Sequence, residues 1–123
     1  MVTPLSTDTT DAGDDPLVGT GVSPGGVEGP VRVLLDPGSD DLQPGEILVC
    51  NTTDPSYASY FLVASGCVID IGGALSHGAI VAREVGIPCV INTRNGTKRL
   101  RTGDVIRVDG SSGTIVILKR AGS

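Results

Sequence analysis

The stretch of sequence that decides the fold is residues 72–90, which read GGALSHGAIVAREVGIPCV. Its middle part predicts a helix that begins near Ser76 or His77. Gly86 favours the left-handed backbone with which many helices end, and Pro88 follows it as a stop signal. The stretch therefore encodes one short helix with clear boundaries on both sides.

Predicted strands flank this helix and recur along the chain. Apolar or β-branched runs bounded by glycine, proline and aspartate are typical of buried strands. They occur at residues 31–35, 47–50, 67–71, 89–92, 104–108 and 114–118, and the last two form a predicted hairpin. Residues 18–29 are rich in glycine and predict only short extended pieces.

A second helix is predicted over residues 55–64. Asp54 is a favourable N-cap, Pro55 suits the first helical position, and apolar side chains follow at helical spacing. Many strands with two helices in the middle indicate a mixed α/β domain, with a sheet or barrel-like core and helices on one side. We expect this domain to cover residues 18–120. Residues 1–17 are expected to form a disordered acidic tail, because Ser, Thr, Asp, Gly and Pro dominate that segment.

Composition and charge exclude several classes of function. The chain has 123 residues, enough for one domain, and a net charge of −5 at pH 7. That sign opposes binding to phosphate backbones or anionic membrane surfaces. Two Tyr, one Phe and no Trp leave no aromatic platform for stacked bases. No apolar run approaches the roughly 20 residues that span a bilayer. We therefore expect neither a nucleic-acid partner nor a membrane partner.

The three cysteines, Cys50, Cys67 and Cys89, each lie in or beside an apolar run. Their odd number, the absence of a Cys-x-x-Cys spacing and the single histidine argue against a disulfide framework and a metal site. We interpret them as buried free thiols of a protein in a reducing compartment, the cytoplasm.

The only histidine, His77, is the candidate for chemistry. At a helix N-terminus the unpaired backbone N–H groups and the helix dipole hold anions and disfavour a protonated imidazole. His77 would then keep a nitrogen lone pair that attacks phosphorus. Gly72 and Gly73 would let the backbone approach the phosphoryl group, and Ser76 would donate its hydroxyl to that group or to the helix N-cap. The alternative is a capping or surface histidine.

Three charged residues near this helix have weaker assignments. Arg83 lies six residues after His77 and ~120° around the helix, so it would contact a partner's phosphate or form a solvated salt bridge. Glu84 is interpreted as structural. Asp70 precedes the two glycines, and it either orients the site, contacts a partner or caps a turn.

Residues 72–90 closely resemble the phosphohistidine signature of the mobile domain of phosphoenolpyruvate-utilising enzymes. The resemblance covers roughly residues 18–118 and includes the motifs Ser23-Pro24-Gly25, Pro44-Gly45-Glu46, Thr53-Asp54-Pro55, Gly103-Asp104 and Val108-Asp109-Gly110. Gly78 and Asn92 depart from it, since many relatives have Ala and Gly there. The Ala-Leu-Ser-His motif is more similar to the pyruvate,water dikinase and rifampicin phosphotransferase branches than to enzyme I of the sugar phosphotransferase system.

The resemblance implies a swivelling β/β/α phosphohistidine domain. His77, with Ser76 before it, would be phosphorylated at one active site and would carry the phosphoryl group to a second. We expect Gly72, Gly73, Gly78 and Arg83 to bind or support the phosphate. The domain itself would bind no metal and no cofactor.

The same resemblance implies partner domains. The donor would be ATP with Mg²⁺ on an ATP-grasp domain, or phosphoenolpyruvate, and the acceptor would lie on a pyruvate-binding or other substrate-binding domain. These partners would belong to the same parent chain or to separate subunits. Because 123 residues hold neither domain, we expect no turnover by the isolated chain.

Two other functions remain open from the sequence. One is a noncatalytic interaction or regulatory module with the same fold, which would tolerate the loss of His77. The other is a dehydratase-type swivelling subunit, which would not use a nucleophilic histidine. A basic segment of Arg94, Lys98, Arg99 and Arg101 either steers the domain toward a nucleotide-bearing partner or is a solvated face.

Overall fold

The structure is a computed structural model that describes residues 15–36, 38, 41–73 and 75–121. The strands are β1 (Leu17–Val18), β2 (Thr20–Ser23), β3 (Gly26–Val33), β4 (Ile47–Cys50), β5 (Gly66–Ile69), β6 (Cys89–Ile91), β7 (Val105–Asp109) and β8 (Thr114–Lys119). The helices are α1 (Ala58–Val63), α2 (His77–Val85) and α3 (Gly96–Arg99), and a 3-10 turn over Pro55–Tyr57 precedes α1. In this described part, no helix is long and apolar enough to cross a membrane.

The eight strands form one mixed sheet in the order β1-β8-β7-β3-β4-β5-β6-β2. Strands β3 to β6 are parallel neighbours, whereas β7, β8, β1 and β2 pair antiparallel. Strand β3 joins the two halves, because residues 26–30 pair with β7 and residues 31–33 pair with β4. The sheet thus divides into an antiparallel half and a parallel half that share one strand.

The parallel half is buried on both faces. Along β4, Ile47 and Val49 pack in a core with Ile106 of β7, while Leu48 and Cys50 pack in a second core beneath the helices. The same alternation continues along β5 and β6. Burial on both faces explains the continuous apolar runs of these strands, and it produces a β/β/α arrangement of layers.

Helices α1 and α2 cover the outer face of the parallel half. Phe61 of α1 and Ala79 and Ala82 of α2 are fully buried in the second core. The Asp54 side chain accepts a hydrogen bond from the Ser56 N–H at 2.8 Å and so caps the turn that leads into α1. Gly86, with φ of 88°, ends α2.

The predicted mixed α/β class, with α1 and α2 on one side of the sheet, is confirmed. Both predicted helices and the buried strand at residues 47–50 occur where the sequence placed them. Helix α3 and strand β1 were not predicted, and β2 lies in the glycine-rich segment for which only short extended pieces were predicted. Of the predicted strand at residues 31–35, only residues 31–33 are strand, and they form the end of β3, which begins at Gly26.

Glycine content explains why β3 was misplaced. Glycines weaken a strand signal, but Gly29 is required here because a side chain on it would lie 2.5 Å from the carbonyl oxygen of Gly45. The predicted boundary of the disordered N-terminal tail is also wrong at one residue. Leu17 was assigned to the disordered tail, yet it is buried and pairs with Ile115 across β1 and β8. Residues 1–14 of that tail lie outside the described residues.

Candidate functional site

Three loops meet at the carboxyl edge of the parallel strands. They follow β4, β5 and β6, and they begin at Asn51, Asp70 and Asn92. Backbone hydrogen bonds join them, from Ile71 N–H to the Asn51 carbonyl and from Arg94 N–H to the Asp70 carbonyl. The loop after β5 leads directly into α2, so this edge of the sheet fixes the position of His77.

His77 is half-buried and has two side-chain neighbours from the α1 region. Its Nδ1 atom lies 3.4 Å from the hydroxyl oxygen of Thr53. The ring of Phe61 packs edge-on against the imidazole, with ring centroids 6.2 Å apart and an interplanar angle of 75°. These contacts hold one ring nitrogen against the protein and restrict the orientation of the imidazole.

The N-terminus of α2 leaves several hydrogen-bonding groups without a helical partner. The first helical bond runs from the Ile80 N–H to the Ser76 carbonyl, at 3.0 Å. The N–H groups of residues 77–79 therefore have no acceptor within the helix. Ser76 occupies the N-cap position, but its hydroxyl makes no capping hydrogen bond. The start of α2 is consequently a set of donors beside the imidazole.

The three candidate glycines have different surroundings. The Gly72 N–H donates to Asn92 Oδ1 at 3.2 Å, and a side chain on Gly72 would lie 3.2 Å from the Ser76 hydroxyl. A side chain on Gly73 would meet nothing within 4 Å. A side chain on Gly78 would lie 2.9 Å from the Thr53 hydroxyl. Gly72 and Gly78 thus fit tightly within the domain, whereas Gly73 faces open space.

Asp70 caps a turn, which confirms the structural interpretation of this residue. It is 1% exposed and accepts hydrogen bonds from the Thr93 hydroxyl at 3.0 Å and the Thr97 hydroxyl at 2.6 Å. The Thr97 N–H, in the first turn of α3, adds a bond of 3.2 Å. The carboxylate therefore fixes the loop between β6 and α3 rather than facing His77.

That loop contains two residues with left-handed backbone, Asn92 with φ of 61° and Arg94 with φ of 67°. Glycine adopts this conformation without strain, and asparagine tolerates it better than most residues. The left-handed backbone accounts for Asn92 at a position where many relatives of the signature have Gly.

The remaining charged candidates lie apart from the imidazole. Arg83 is in the last turn of α2, and its Nε donates to the Val22 carbonyl at 2.6 Å. The structure does not bring it together with His77, so any phosphate that it contacts would belong to a partner. In the basic segment, Arg99 donates to the Asp15 carbonyl and so lies near the N-terminal end of the domain.

Asp54 is the carboxylate whose ionisation the imidazole influences. Hydrogen bonds from the Ser56 hydroxyl and N–H lower the pKa of Asp54, and the nearby His77 lowers it further. Asp54 is exposed, and it caps the turn before α1. It therefore places a negative charge at the border of the site.

Thr53 and Phe61 are the neighbours of His77 that sequence reasoning missed. Thr53 was part of a recognised motif, but no role was assigned to it. The signal that identifies it is topological: it follows β4, and the carboxyl ends of parallel β4 and β5 lie at the same edge of the sheet. The residues that the structure describes contain no group of three or more His, Cys, Asp or Glu side chains that could hold a metal ion.

Comparison with known families identifies the family of this chain. The family profile described as "PEP-utilising enzyme, mobile domain" matches residues 42–113, which include β4 to β7 and the whole of α2. The chain belongs to this family. The mobile domain therefore contains His77 and its neighbours within the matched segment.

Several larger proteins contain a segment similar to this mobile domain. Rifampicin phosphotransferase of Streptomyces sviceus is 46% identical over 108 residues, which are 88% of this chain and 12% of that protein. Prodigiosin synthesizing transferase PigC of Serratia marcescens is 48% identical over 103 residues, 82% of this chain and 12% of that protein. The uncharacterized phosphotransferase YvkC of Bacillus subtilis is 46% identical over 106 residues, 85% of this chain and 13% of that protein. The chain thus spans about one eighth of the length of these relatives.

Two solved structures show the same fold. The solution structure of an Enzyme I protein, nEIt, matches with a TM-score of 0.55 and 32% identity, over 63% of this chain and 32% of that one. Aconitase X of Thermococcus kodakaraensis matches with a TM-score of 0.65 over 85% of this chain and 99% of that one. Its 23% identity makes that likeness one of fold alone.

Proposed function

We propose that the mobile domain is a phosphocarrier in which His77 accepts a phosphoryl group at one active site and delivers it to another. The observation that carries this proposal is the contact of His77 Nδ1 with the Thr53 hydroxyl at the start of α2. It leaves Nε2 as the ring nitrogen directed away from that contact. The alternative, a noncatalytic module with the same fold, gives this arrangement no purpose.

The proposed chemistry uses the tautomer with the proton on Nδ1, from which the Thr53 hydroxyl can accept a hydrogen bond. When the proton is on Nδ1, the Nδ1–H donates to the Thr53 hydroxyl oxygen and the lone pair is on Nε2. The Nε2 lone pair attacks the phosphorus of the donor. The N–P bond forms, and the bond between phosphorus and the leaving oxygen of the donor breaks. The proton on Nδ1 stays in place, so this step needs no separate base.

The start of α2 would stabilise the transferred group. The N–H groups of residues 77–79 and the Ser76 hydroxyl supply hydrogen-bond donors, and the positive end of the helix dipole adds roughly 0.3–1 kcal/mol for a nearby anion. The open space at Gly73 leaves room for the phosphoryl oxygens. These groups would act on whichever phosphoryl donor is used.

Donor and acceptor would be bound by partner domains. We propose that the donor is ATP with Mg²⁺ on an ATP-grasp domain, or phosphoenolpyruvate, and that a substrate-binding domain holds the acceptor. Relatives named phosphotransferases, of which this chain spans about 12%, support such partners. The mobile domain would then be part of a dikinase-like transferase, without turnover of its own. Its three free buried thiols fit a cytoplasmic protein.

Isotope labelling of the complete phosphotransferase tests the proposal. ATP labelled at the β or the γ phosphorus, and separately labelled phosphoenolpyruvate, would be added, and the label on this chain would be tested for stability in acid and alkali. We expect acid-labile, alkali-stable label that disappears in His77→Ala without a change in melting temperature. Histidine occurs once in the chain, so phosphohistidine within it assigns His77. Absence of label in an active complex would favour the noncatalytic module.

A further inference from the structure

Large apolar side chains are exposed on both sides of His77 along the chain. Leu75, two residues before it, is 84% exposed, and Ile71, in the loop after β5, is 59% exposed. Ile80, three residues after His77 and so adjacent to it on the surface of α2, is 43% exposed. Solvation alone does not favour three exposed large apolar side chains within residues 71–80.

Apolar exposure is concentrated on this part of the molecule. Of nine large hydrophobic side chains exposed among the described residues, six lie on α1, on α2 or in the turn before α2. The antiparallel half of the sheet contributes two, Val18 of β1 and Leu118 of β8. Exposed apolar side chains are therefore concentrated on the two helices and on the loop that leads to His77, rather than spread evenly along the chain.

The segments that carry most of these side chains contain no charged residues. Residues 71–82 contain no Asp, Glu, Lys or Arg, and neither does α1. The chain as a whole has a net charge of −5, which repels a phosphate-bearing ligand. The uncharged segment 71–82 adds no repulsion of its own toward an anionic donor, so the nearest negative charge that the donor meets is Asp54, at the border of the site.

We propose that Ile71, Leu75 and Ile80 form a docking ring that seats against an apolar protein rim around the partner's bound phosphoryl donor. This inference rests on the proposed function, because the occupant is the site that phosphorylates His77. Whatever protein brings a phosphorus atom to Nε2 must also cover the side chains around it. Their burial excludes water from the reacting centre, where water would compete with histidine for the phosphoryl group. A second copy of this chain carries no phosphoryl donor and would block Nε2.

The test compares two phosphoryl donors in the same complete phosphotransferase. Potassium phosphoramidate is a small molecule that phosphorylates histidine without protein docking, whereas labelled ATP or phosphoenolpyruvate acts through the partner domain. The variants are Ile71→Ser, Leu75→Ser and Ile80→Ser. The matched controls are Val18→Ser, 70% exposed, and Leu118→Ser, 43% exposed, in the other half of the sheet. The initial rate of labelling at His77 is measured for every variant with both donors.

We expect Leu75→Ser to slow partner-dependent labelling about tenfold and the pair Ile71→Ser with Leu75→Ser to slow it further. Labelling by phosphoramidate should match that of the unaltered protein, and both controls should behave as the unaltered protein does. Equal partner-dependent rates in ring and control variants would overturn the docking ring and leave the phosphocarrier function standing. Two other results would also overturn the docking ring. One is a loss of phosphoramidate labelling in the ring variants. The other is a dimer of the unaltered chain that dissociates in the ring variants and persists in the controls. Unaltered protein that takes label from no donor would refute the phosphocarrier and the ring together.

Discussion

At the scale of single residues, the site consists of one imidazole whose two nitrogens have different surroundings. His77 Nδ1 is held by Thr53, and Phe61 packs edge-on against the ring. The proposed role of His77 was predicted from the sequence, from its place at a predicted helix start together with the resemblance to the phosphohistidine signature. The role of Thr53 did not, since 24 residues separate it from His77 and only the pairing of β4 with β5 brings them together.

Substitution of Thr53 tests which tautomer the site selects. Thr53→Val keeps the shape but removes the hydroxyl, and we expect it to slow labelling of His77 about fivefold, the equivalent of one hydrogen bond of ~1 kcal/mol. Thr53→Ser should keep most of the rate. Nitrogen chemical shifts of His77 in ¹⁵N-labelled protein should show more of the Nε2–H tautomer in Thr53→Val. An unchanged tautomer ratio would contradict the role of Thr53.

At the scale of elements, the sequence predicts what local signals define. The start and stop of α2 and the Asp54 cap before α1 depend on residues a few positions apart, and all of them are present in the structure. Strand β2 and the start of β3 depend on the close approach of backbone segments that are distant in the sequence. Glycine permits this approach, but its presence in the sequence does not predict it. Helix α3 escaped prediction for a similar reason. The buried Asp70 carboxylate, 27 residues before Thr97, supplies its N-terminal hydrogen bonds.

Asp104, a fully buried carboxylate, links the start of β7 to the end of β8. Burial opposes its ionisation, but hydrogen bonds from the Ala121 and Arg101 N–H groups and the ion pair with Arg120, at 2.7 Å, lower the pKa of Asp104 overall. A lowered pKa in the folded state adds stability above the ordinary value of about 3.9, and this stability is lost as the pH falls below it.

Replacement of Asp104 tests whether its buried carboxylate stabilises the fold. We expect Asp104→Asn to lower the free energy of unfolding at pH 7 by about 2 kcal/mol, as measured by urea denaturation. Its stability should also fall less steeply than that of the unaltered protein below pH 4. The control is Glu28→Gln, whose partner Arg107 is about half exposed, and it should cost under ~1 kcal/mol. Equal effects of the two substitutions would contradict the account.

At the scale of the whole molecule, two hydrophobic cores stabilise different parts of the fold. One joins the two halves of the sheet, and the other seats α1 and α2 on the parallel half. All three cysteines lie in the second core, on adjacent strands of the parallel half. The sequence predicted buried thiols from their apolar neighbours. That they share one face of the sheet depends on strand register, which no local pattern shows.

Thiol reactivity reports on this core. Burial raises the pKa of the Cys67 thiol, and its contacts with Cys50 and Cys89 raise it further. Since the thiolate is the reactive form, we expect no reaction of the three cysteines with a disulfide reagent at neutral pH in the folded protein, and three reactive thiols in guanidinium chloride. Rapid reaction of any cysteine without denaturant would show that the second core opens locally.

The central claim is that Nε2 of His77 carries the phosphoryl group. It is tested most directly by phosphorus and nitrogen NMR of the ¹⁵N-labelled, phosphorylated protein, where coupling between phosphorus and nitrogen identifies the bonded atom. The account predicts coupling to Nε2 of His77 and an intact proton on Nδ1 beside Thr53. Phosphorus bonded to Nδ1, or an acid-stable phosphate on the Ser76 oxygen, would contradict it.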